Sequence, residues 1–202
     1  MLIGRSTGNR IEHNHIHDFY YSGISAGWNW GYTESDSYGN IIEWNHIHDL
    51  GKGLLSDMGG IYLLGHATGT RLRYNHIHAI TCRRYGGWCI YTDEGSCDVL
   101  IEGNVCHDTN ENAFNQHYGK NNQVPGNIFA FGGKSVLSYG KPEPHSGLVF
   151  ESNIFLARSG THIARDTAPD RWGSANGAFR KNLYWAEGGP VIFQRGGPQV
   201  YG

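Results

Sequence analysis

The chain has 202 residues and carries 16 basic and 18 acidic side chains, a formal net charge of −2 with histidine neutral. This near balance excludes a nucleic-acid binder that relies on bulk positive charge. The mean hydropathy of −0.48 and the lack of a long apolar run predict no membrane span. Residues 1–25 contain no apolar segment typical of a signal peptide. The 30 glycines, about twice the usual share of ~7%, argue against a helix-rich fold.

A repeated segment recurs along the chain at intervals of about 30 residues. Three copies are nearly identical: residues 11–18 (IEHNHIHD), 42–49 (IEWNHIHD) and 72–79 (LRYNHIHA). Residues 101–108 (IEGNVCHD) form a degenerate copy, and three later units keep only an asparagine before an aliphatic and an aromatic residue. The repeated asparagines are Asn14, Asn45, Asn75, Asn104, Asn127, Asn153 and Asn182. One asparagine per unit at variable spacing is typical of a solenoid with loops of unequal length.

Short β-rich stretches separated by glycine, asparagine and serine fill each unit, and no unit shows a helical period of useful length. These features predict an all-β fold, a single parallel β-helix domain over residues 1–202 with about seven coils and an asparagine ladder at one turn. We find no separate capping segment in the sequence, although solenoids normally need polar caps. We therefore expect a truncated or fragmentary β-helix, or a homo-oligomer that covers its open ends.

The first long loop between coils, residues 27–37, carries Trp28, Trp30 and Tyr32 beside two acidic residues. Insertions of this kind tend to build the binding face of a solenoid. Flat aromatic rings bind the apolar faces of sugars, so we predict contact with a polysaccharide or oligosaccharide here. The alternative is a loop packed on its own aromatic rings. Nucleic-acid bases would also stack on such a platform, but no basic groove accompanies it.

Three predicted strands align on the inward-facing residues Ile61, Ile90 and Phe114. The two-residue period of a strand then places three side chains outward in one column, those of Tyr62, Tyr91 and Asn115. The same period brings Asp93 and His117 to one outward position on adjacent coils, about 5 Å apart. The sequence therefore predicts a polar cluster at one edge of one sheet.

Carboxylates, a histidine and a tyrosine at one strand end suit glycoside hydrolysis, which needs one carboxyl group as acid and a second as base or nucleophile. Asp93 is the first candidate, with Glu94, His117 and Tyr118 beside it. The second candidate is less clear, because a linear alignment puts Asp57 at the other end of the strand. Glu94 and the acidic residues of the first loop are alternatives. Acidic residues before glycine also commonly form local turn hydrogen bonds, which is the alternative role for Asp93 and Glu94.

Seven of the 12 histidines belong to the repeat, so their rings would stack on successive coils. Stacked imidazoles can ligate zinc or copper. Duplication of the repeat explains the same stacking, and neither HExxH nor CxxC supports a metal. We therefore predict neither a metal nor any other cofactor, and a stack that is sensitive to pH. The four cysteines lie within residues 82–106 and fit either disulfides or free buried thiols.

Five segments carry a resemblance to a known family. They are residues 23–32 (GISAGWNWGY), 45–50 (NHIHDL), 55–62 (LSDMGGIY), 85–96 (YGGWCIYTDEGS) and 116–119 (QHYG). Together they resemble right-handed parallel β-helix proteins of the pectate-lyase-like superfamily, above all glycoside hydrolase family 141 and its relatives. The resemblance covers residues 8–133 closely and the remainder only as generic coils.

The resemblance implies a right-handed coil, a secreted or periplasmic protein, and activity on plant-type polysaccharides such as xylan or fucosylated glycans. The positions that match the acidic motifs of the family are Asp57 and Asp93, with Glu94 adjacent. Members of the family are considerably longer, and related β-helices also serve as carbohydrate-binding modules without catalysis. We expect a glycoside hydrolase, with a binding module as the main alternative. A polysaccharide lyase and a structural solenoid are less favoured, the lyase because no dense acidic calcium cluster is visible.

Overall fold

The structure is a computed structural model that describes residues 1–141, 143–145, 147–166, 177–194 and 198–201. Within these ranges the chain forms 25 strands, β1–β25 in chain order, and no α-helix. No described segment is thus a helix long and apolar enough to cross a membrane. The predicted all-β class is confirmed.

Three sheets run along the molecule. In spatial order, sheet 1 contains β1 (Leu2–Gly4), β4 (Ile24–Asn29), β7 (Met58–Gly65), β10 (Gly87–Asp93), β14 (Asn112–Gln116), β18 (Ser135–Tyr139), β21 (His162–Asp166), β24 (Val191–Gln194) and β25 (Pro198–Tyr201). Sheet 2 contains β2 (Arg10–Glu12), β5 (Ile41–Glu43), β8 (Arg71–Arg73), β12 (Leu100–Glu102), β16 (Asn122–Pro125), β19 (Leu148–Glu151) and β22 (Gly177–Arg180). Sheet 3 contains β3 (His15–His17), β6 (His46–Leu50), β9 (His76–Ile80), β13 (Val105–Thr109), β17 (Ile128–Gly132), β20 (Ile154–Ala157) and β23 (Leu183–Ala186). A short pair, β11 (Ser96–Cys97) and β15 (Gly119–Lys120), lies between sheets 1 and 2 in the chain.

The chain visits the three sheets in turn, and each strand pairs in parallel with the equivalent strand of the next coil. Sheets 2 and 3 each contain seven described strands, one for each asparagine of the repeat. This is a parallel β-helix of seven coils, as the repeat predicts. The right-handed sense implied by the resemblance stays a prediction.

The core fills the space between the three sheets with stacked columns of inward-facing side chains. On sheet 3 the column begins with isoleucine and becomes aromatic in later coils: Ile16, Ile47, Ile77, Cys106, Phe129 and Phe155. All of these side chains are buried. Residues at one position of successive coils therefore pack on each other, which favours apolar residues at the inward positions of every copy.

The predicted asparagine ladder is present and continuous. The Oδ1 atom of Asn75 accepts hydrogen bonds from the backbone N–H of Asn45 at 3.1 Å and from its side-chain amide at 2.9 Å. The same amide donates to the carbonyl oxygen of Ile11 at 2.9 Å. Equivalent bonds link all seven asparagines through Asn182. Each side chain thus satisfies backbone groups of the turn that would otherwise be buried without partners.

The sequence showed no cap, but the structure has an added strand at one end. After the last parallel strand of sheet 1, β25 runs back antiparallel to β24 and covers its open edge. β25 is then the last strand of sheet 1 at this end. The structure also resolves the alternatives for the cysteines, since Cys82, Cys89, Cys97 and Cys106 are free and buried.

Candidate functional site

The column of outward side chains on sheet 1 follows the predicted register. Tyr62 pairs with Tyr91 across β7 and β10, and Tyr91 pairs with Asn115 of β14. Although both tyrosines point away from the core, each is only 4% exposed. They form a second, smaller apolar cluster with Leu64 and Trp88. Asn115 is buried in this column and accepts a hydrogen bond from Ser138 at 2.6 Å, so it supports the column.

Asp93, the last residue of β10, lies at the centre of the polar cluster. Its Oδ2 atom accepts a hydrogen bond of 2.6 Å from the hydroxyl of Tyr62. Its Oδ1 atom lies 3.0 Å from Nδ1 of His117. The predicted pairing of Asp93 with His117 is therefore present, and Asp93 as a whole is 6% exposed. A buried carboxylate with this many donors is held in one orientation.

Asp57 joins the same cluster, although the linear alignment separates it from Asp93. The hydroxyl of Tyr91 interacts with both carboxyl groups. Asp57 adopts a left-handed backbone conformation, with φ of 62°, directly before β7, and its N–H donates to the carbonyl oxygen of Tyr85 at 3.0 Å. A Cβ atom at Gly59 would lie 2.8 Å from the carbonyl oxygen of Ile61 and 3.2 Å from Cβ of Tyr91, so only glycine fits at this point of the strand.

The two carboxyl groups have opposite electrostatic environments. Burial, and then the negative charge of Asp93, raise the pKa of Asp57 above its ordinary value. Burial also opposes ionisation of Asp93, but hydrogen bonds from His117, Tyr62 and Tyr91 outweigh it and lower the pKa of Asp93. Burial and the nearby Asp93 raise the pKa of both tyrosine hydroxyls, which therefore stay protonated donors. One carboxyl group is thus biased to hold a proton and the other to release it.

Three further predicted residues extend the cluster. The hydrogen bond to Asp93 raises the pKa of His117 despite partial burial, so the pair favours an imidazolium beside a carboxylate. Glu94 lies 3.7 Å from His117 Nδ1 and accepts a hydrogen bond of 3.3 Å from the hydroxyl of Tyr118. Glu94 and Asp93 therefore both approach Nδ1 of His117, and the more exposed Glu94 forms the outer side of the cluster.

The first long loop, residues 27–37, is called the aromatic loop below, and some of its rings pack on the polar cluster while others point away from it. Trp28 belongs to the end of β4, where its ring meets Tyr62 edge to face at 5.7 Å, while Trp30 is 58% exposed. Tyr32 turns toward a later loop, where its hydroxyl donates to Glu143. A backbone hydrogen bond of 3.2 Å from Gly31 to the carbonyl of Glu94 fastens the loop to the site. Trp28 is thus packed and Trp30 is open, and contact of this loop with a sugar stays a prediction.

Three residues near Asp57 were not predicted from the sequence. The hydroxyl of Tyr21 donates to the backbone carbonyl of Asp57 at 2.8 Å. Tyr85 is 54% exposed, and the charge of Asp57 raises its pKa. Trp88 packs against Tyr91 with ring centroids 4.1 Å apart. The sequence signal that could have placed Tyr85 near Asp57 is the pair of glycines after Tyr85. Gly86 packs directly on the backbone of Asp57, where a larger residue would not fit.

The arrangement joins two carboxyl groups of unequal proton affinity, a histidine and a rim of exposed aromatic rings. Such a constellation can donate a proton to one atom of a ligand and withdraw one from another. Among known proteins, no family model matches the chain, and a search of curated proteins finds no match either.

Proposed function

We propose that the protein is a glycoside hydrolase that acts on plant cell-wall polysaccharide, xylan or a fucosylated glycan, and that it is secreted or periplasmic. Asp57 serves as the general acid and Asp93 as the base or nucleophile. The observation that carries the proposal is the buried carboxylate of Asp93, held by Tyr62 at 2.6 Å and by His117 at 3.0 Å, beside Asp57, whose pKa is shifted in the opposite direction. Glycoside hydrolysis needs this division of roles between two carboxyl groups.

The surroundings of the carboxyl groups support a sugar as the ligand. Trp30 and Tyr85 expose aromatic rings on the two loops that flank the cluster, 58% and 54% of each residue being open. A sugar ring stacks its apolar C–H face on such rings, while carboxylates and hydroxyls bind its polar edge. His117 and Glu94 lie close enough to Asp93 to bind sugar hydroxyls or to adjust its charge.

A non-catalytic carbohydrate-binding module is the second candidate. It is favoured by a separate aromatic surface at the turn before the asparagine ladder. There the rings of Trp44 and Tyr74 stack with centroids 4.6 Å apart, and Trp44 is 52% exposed. Both residues have positive φ angles, 58° and 55°, which bulky residues other than glycine seldom adopt. An exposed stack of this kind could bind a glycan chain without any chemistry.

The test is a hydrolysis screen on xylan, fucosylated glycans and pectin that compares the wild type with Asp57→Asn and Asp93→Asn. Asp108→Asn is the matched control, because Asp108 is an exposed aspartate on sheet 3, outside the cluster and the first loop. We expect release of reducing sugar by the wild type and the control, and loss in both site variants. No product from any substrate, with polysaccharide still retained in a pull-down, would establish the binding module. Unsaturated product would establish a lyase.

A further inference from the structure

Seven histidines of the repeat form two parallel columns on the outer face of sheet 3. The columns arise because each copy of the motif places two histidines outward on either side of a buried isoleucine. The first column contains His15, His46 and His76, and the second contains His17, His48, His78 and His107. Within each column neighbouring rings lie 4.9–5.2 Å apart, most of them nearly parallel. We call this surface the histidine face.

The two columns also contact each other diagonally, through one nitrogen of each ring. The Nε2 atoms of His15 and His48 are 2.6 Å apart, and those of His46 and His78 are 2.9 Å apart. In a third diagonal pair, the Nε2 atoms of His76 and His107 are 2.8 Å apart. At these distances two nitrogen lone pairs cannot face each other without a proton or a cation between them.

The partner of the other ring nitrogen identifies which atom carries the proton. Nδ1 of His48 lies 2.7 Å from the carboxylate of Asp49. Because a carboxylate only accepts, Nδ1 of His48 is the donor and its Nε2 carries a lone pair when the ring is neutral. His17 and His107 have the same arrangement with the aspartates that follow them. A histidine that donates one ring N–H to a carboxylate and presents the other nitrogen is the usual state of a metal ligand.

We propose that the histidine face binds a divalent transition-metal ion, of the zinc or copper type, between His15, His46 and His48. One ring nitrogen from each of these residues lies within 4.8 Å of the other two. A zinc ion bound at about 2.0–2.1 Å from each nitrogen in tetrahedral geometry needs ligand atoms about 3.3 Å apart. The ion replaces the proton between His15 and His48, and the exposed ring of His15 moves outward to admit it. Asp49 orients His48.

The arrangement also sets the number of ions. A second group of three, His46, His76 and His78, has the same spacing but shares His46 with the first. Its His78 is followed by Ala79, so it lacks the carboxylate that supports His48. Only one three-histidine site can therefore be filled at a time, and the first is the better supported. The site is independent of the proposed hydrolase activity.

A third group of potential ligands lies elsewhere and must be distinguished in the test. It contains His66, Cys97 and Asp98. Burial raises the pKa of the Cys97 thiol to about 11. The thiolate is the form that binds metals, and the buried thiol holds its proton at neutral pH. The histidines of the first group need no such deprotonation.

The experiment is titration of the chelator-treated protein, residues 1–202, with Zn²⁺ by calorimetry, with Co²⁺ absorption as a second readout. We expect one tight equivalent of Zn²⁺ per chain. His48→Gln removes a ligand and should weaken binding at least a hundredfold. Asp49→Asn keeps all three ligands and should weaken binding about tenfold, the usual effect of losing a supporting carboxylate. His13→Gln, at an exposed histidine outside the columns, is the matched control and should bind as the wild type does.

Circular dichroism checks that each variant is folded, above all His48→Gln, because the side chain of His48 is only 15% exposed whereas His13 and Asp49 are exposed. Co²⁺ should give the visible absorption of a nitrogen-ligated ion in the wild type and lose it in His48→Gln. Unchanged Zn²⁺ binding in folded His48→Gln would overturn the proposal. So would loss of binding in His66→Gln with retention in His48→Gln, because the ion would then lie in the third group.

Discussion

Two outer surfaces of this β-helix use the same kind of residue for opposite purposes. On sheet 1, His117 faces the carboxylates of Asp93 and Glu94, and the hydrogen bond to Asp93 raises its pKa. On sheet 3, the histidine face stacks imidazole on imidazole, and burial followed by neighbouring histidines lowers the pKa of His78 to about 4. Burial and the neighbouring groups, not the residue type, therefore decide which charge state each histidine favours.

The two surfaces also differ in whether their residues belong to the repeated motif. The histidine face and the asparagine ladder beside it come from the same motif in successive copies, so each residue packs on its own kind. The acid–tyrosine cluster of Asp57, Tyr62, Tyr91, Asp93 and His117 repeats only its tyrosine, and Asp93 stands where the previous coil has Leu64. In a solenoid, repetition supplies stability along the stack, and departures from the repeat are where a specific site can form.

The largest expected effect lies in the non-repeated cluster. If the proposed hydrolase activity is found, Asp57→Asn and Asp93→Asn should each lower kcat about 10³-fold, in the range for loss of a general acid or base. The double variant should lose little more than either single one, because the two groups act as a unit. Steady-state kinetics on the substrate from the screen measures this. Fully multiplicative losses would show that the two carboxyl groups act separately.

The next largest effect is a loss of stability when the asparagine ladder of the repeated region is interrupted. Asn75→Ala should lower the free energy of unfolding by about 3 kcal/mol, because buried backbone and amide groups lose their partners on both sides. Asn14→Ala is the matched change in the first coil, where the asparagine has a ladder neighbour on one side only, and should cost about 1 kcal/mol. Urea denaturation of both variants compares the values. Equal losses would contradict the ladder as a cooperative element.

A smaller effect tests whether the hydrogen bond from Tyr62 lowers the pKa of Asp93. Tyr62→Phe removes a donor to Asp93 and should raise the pKa of that carboxyl group. We expect activity to fall about tenfold, the size of one hydrogen bond to a charged group, with the acid limb of the pH–rate profile moved to higher pH. Tyr38→Phe changes an exposed tyrosine of the aromatic loop region and is the control. An unshifted acid limb in Tyr62→Phe would mean that Asp93 does not set it.

The smallest effect tests the comparison directly. In metal-free protein, histidine titration by NMR should give His117 a midpoint above 6.5 and His78 a midpoint of about 4. Because the pKa of His78 is lower in the folded chain than in the unfolded chain, its contribution to stability is complete above about 6.5 and is lost as the pH falls toward 4. The contribution of His117 has the opposite sign and is lost as the pH rises through its raised pKa. Equal titration midpoints for His117 and His78 would contradict the proposed difference in electrostatic environment between sheet 1 and the histidine face.

Much of this structure follows from the sequence. The spacing of the asparagines predicts the coil count, and the two-residue period predicts which side of each strand faces the core. The column Tyr62, Tyr91, Asn115 and the pairing of Asp93 with His117 need only the correct alignment of adjacent coils. A regular solenoid repeats its geometry, so a local pattern in the sequence determines a contact between residues about 30 positions apart.

The tertiary structure decided what the repeat does not encode. The position of Asp57 depends on its left-handed backbone and on the next coil, where Tyr85 accepts its N–H and Gly86 packs on its backbone. The aromatic loop is placed by the contact of Gly31 with the coil at Gly95. The diagonal Nε2 contacts of the histidine face depend on side-chain rotation between two columns. Periodicity along a strand determines which face a side chain occupies, but loop paths, bends and ring orientations depend on neighbours that only the folded chain brings together.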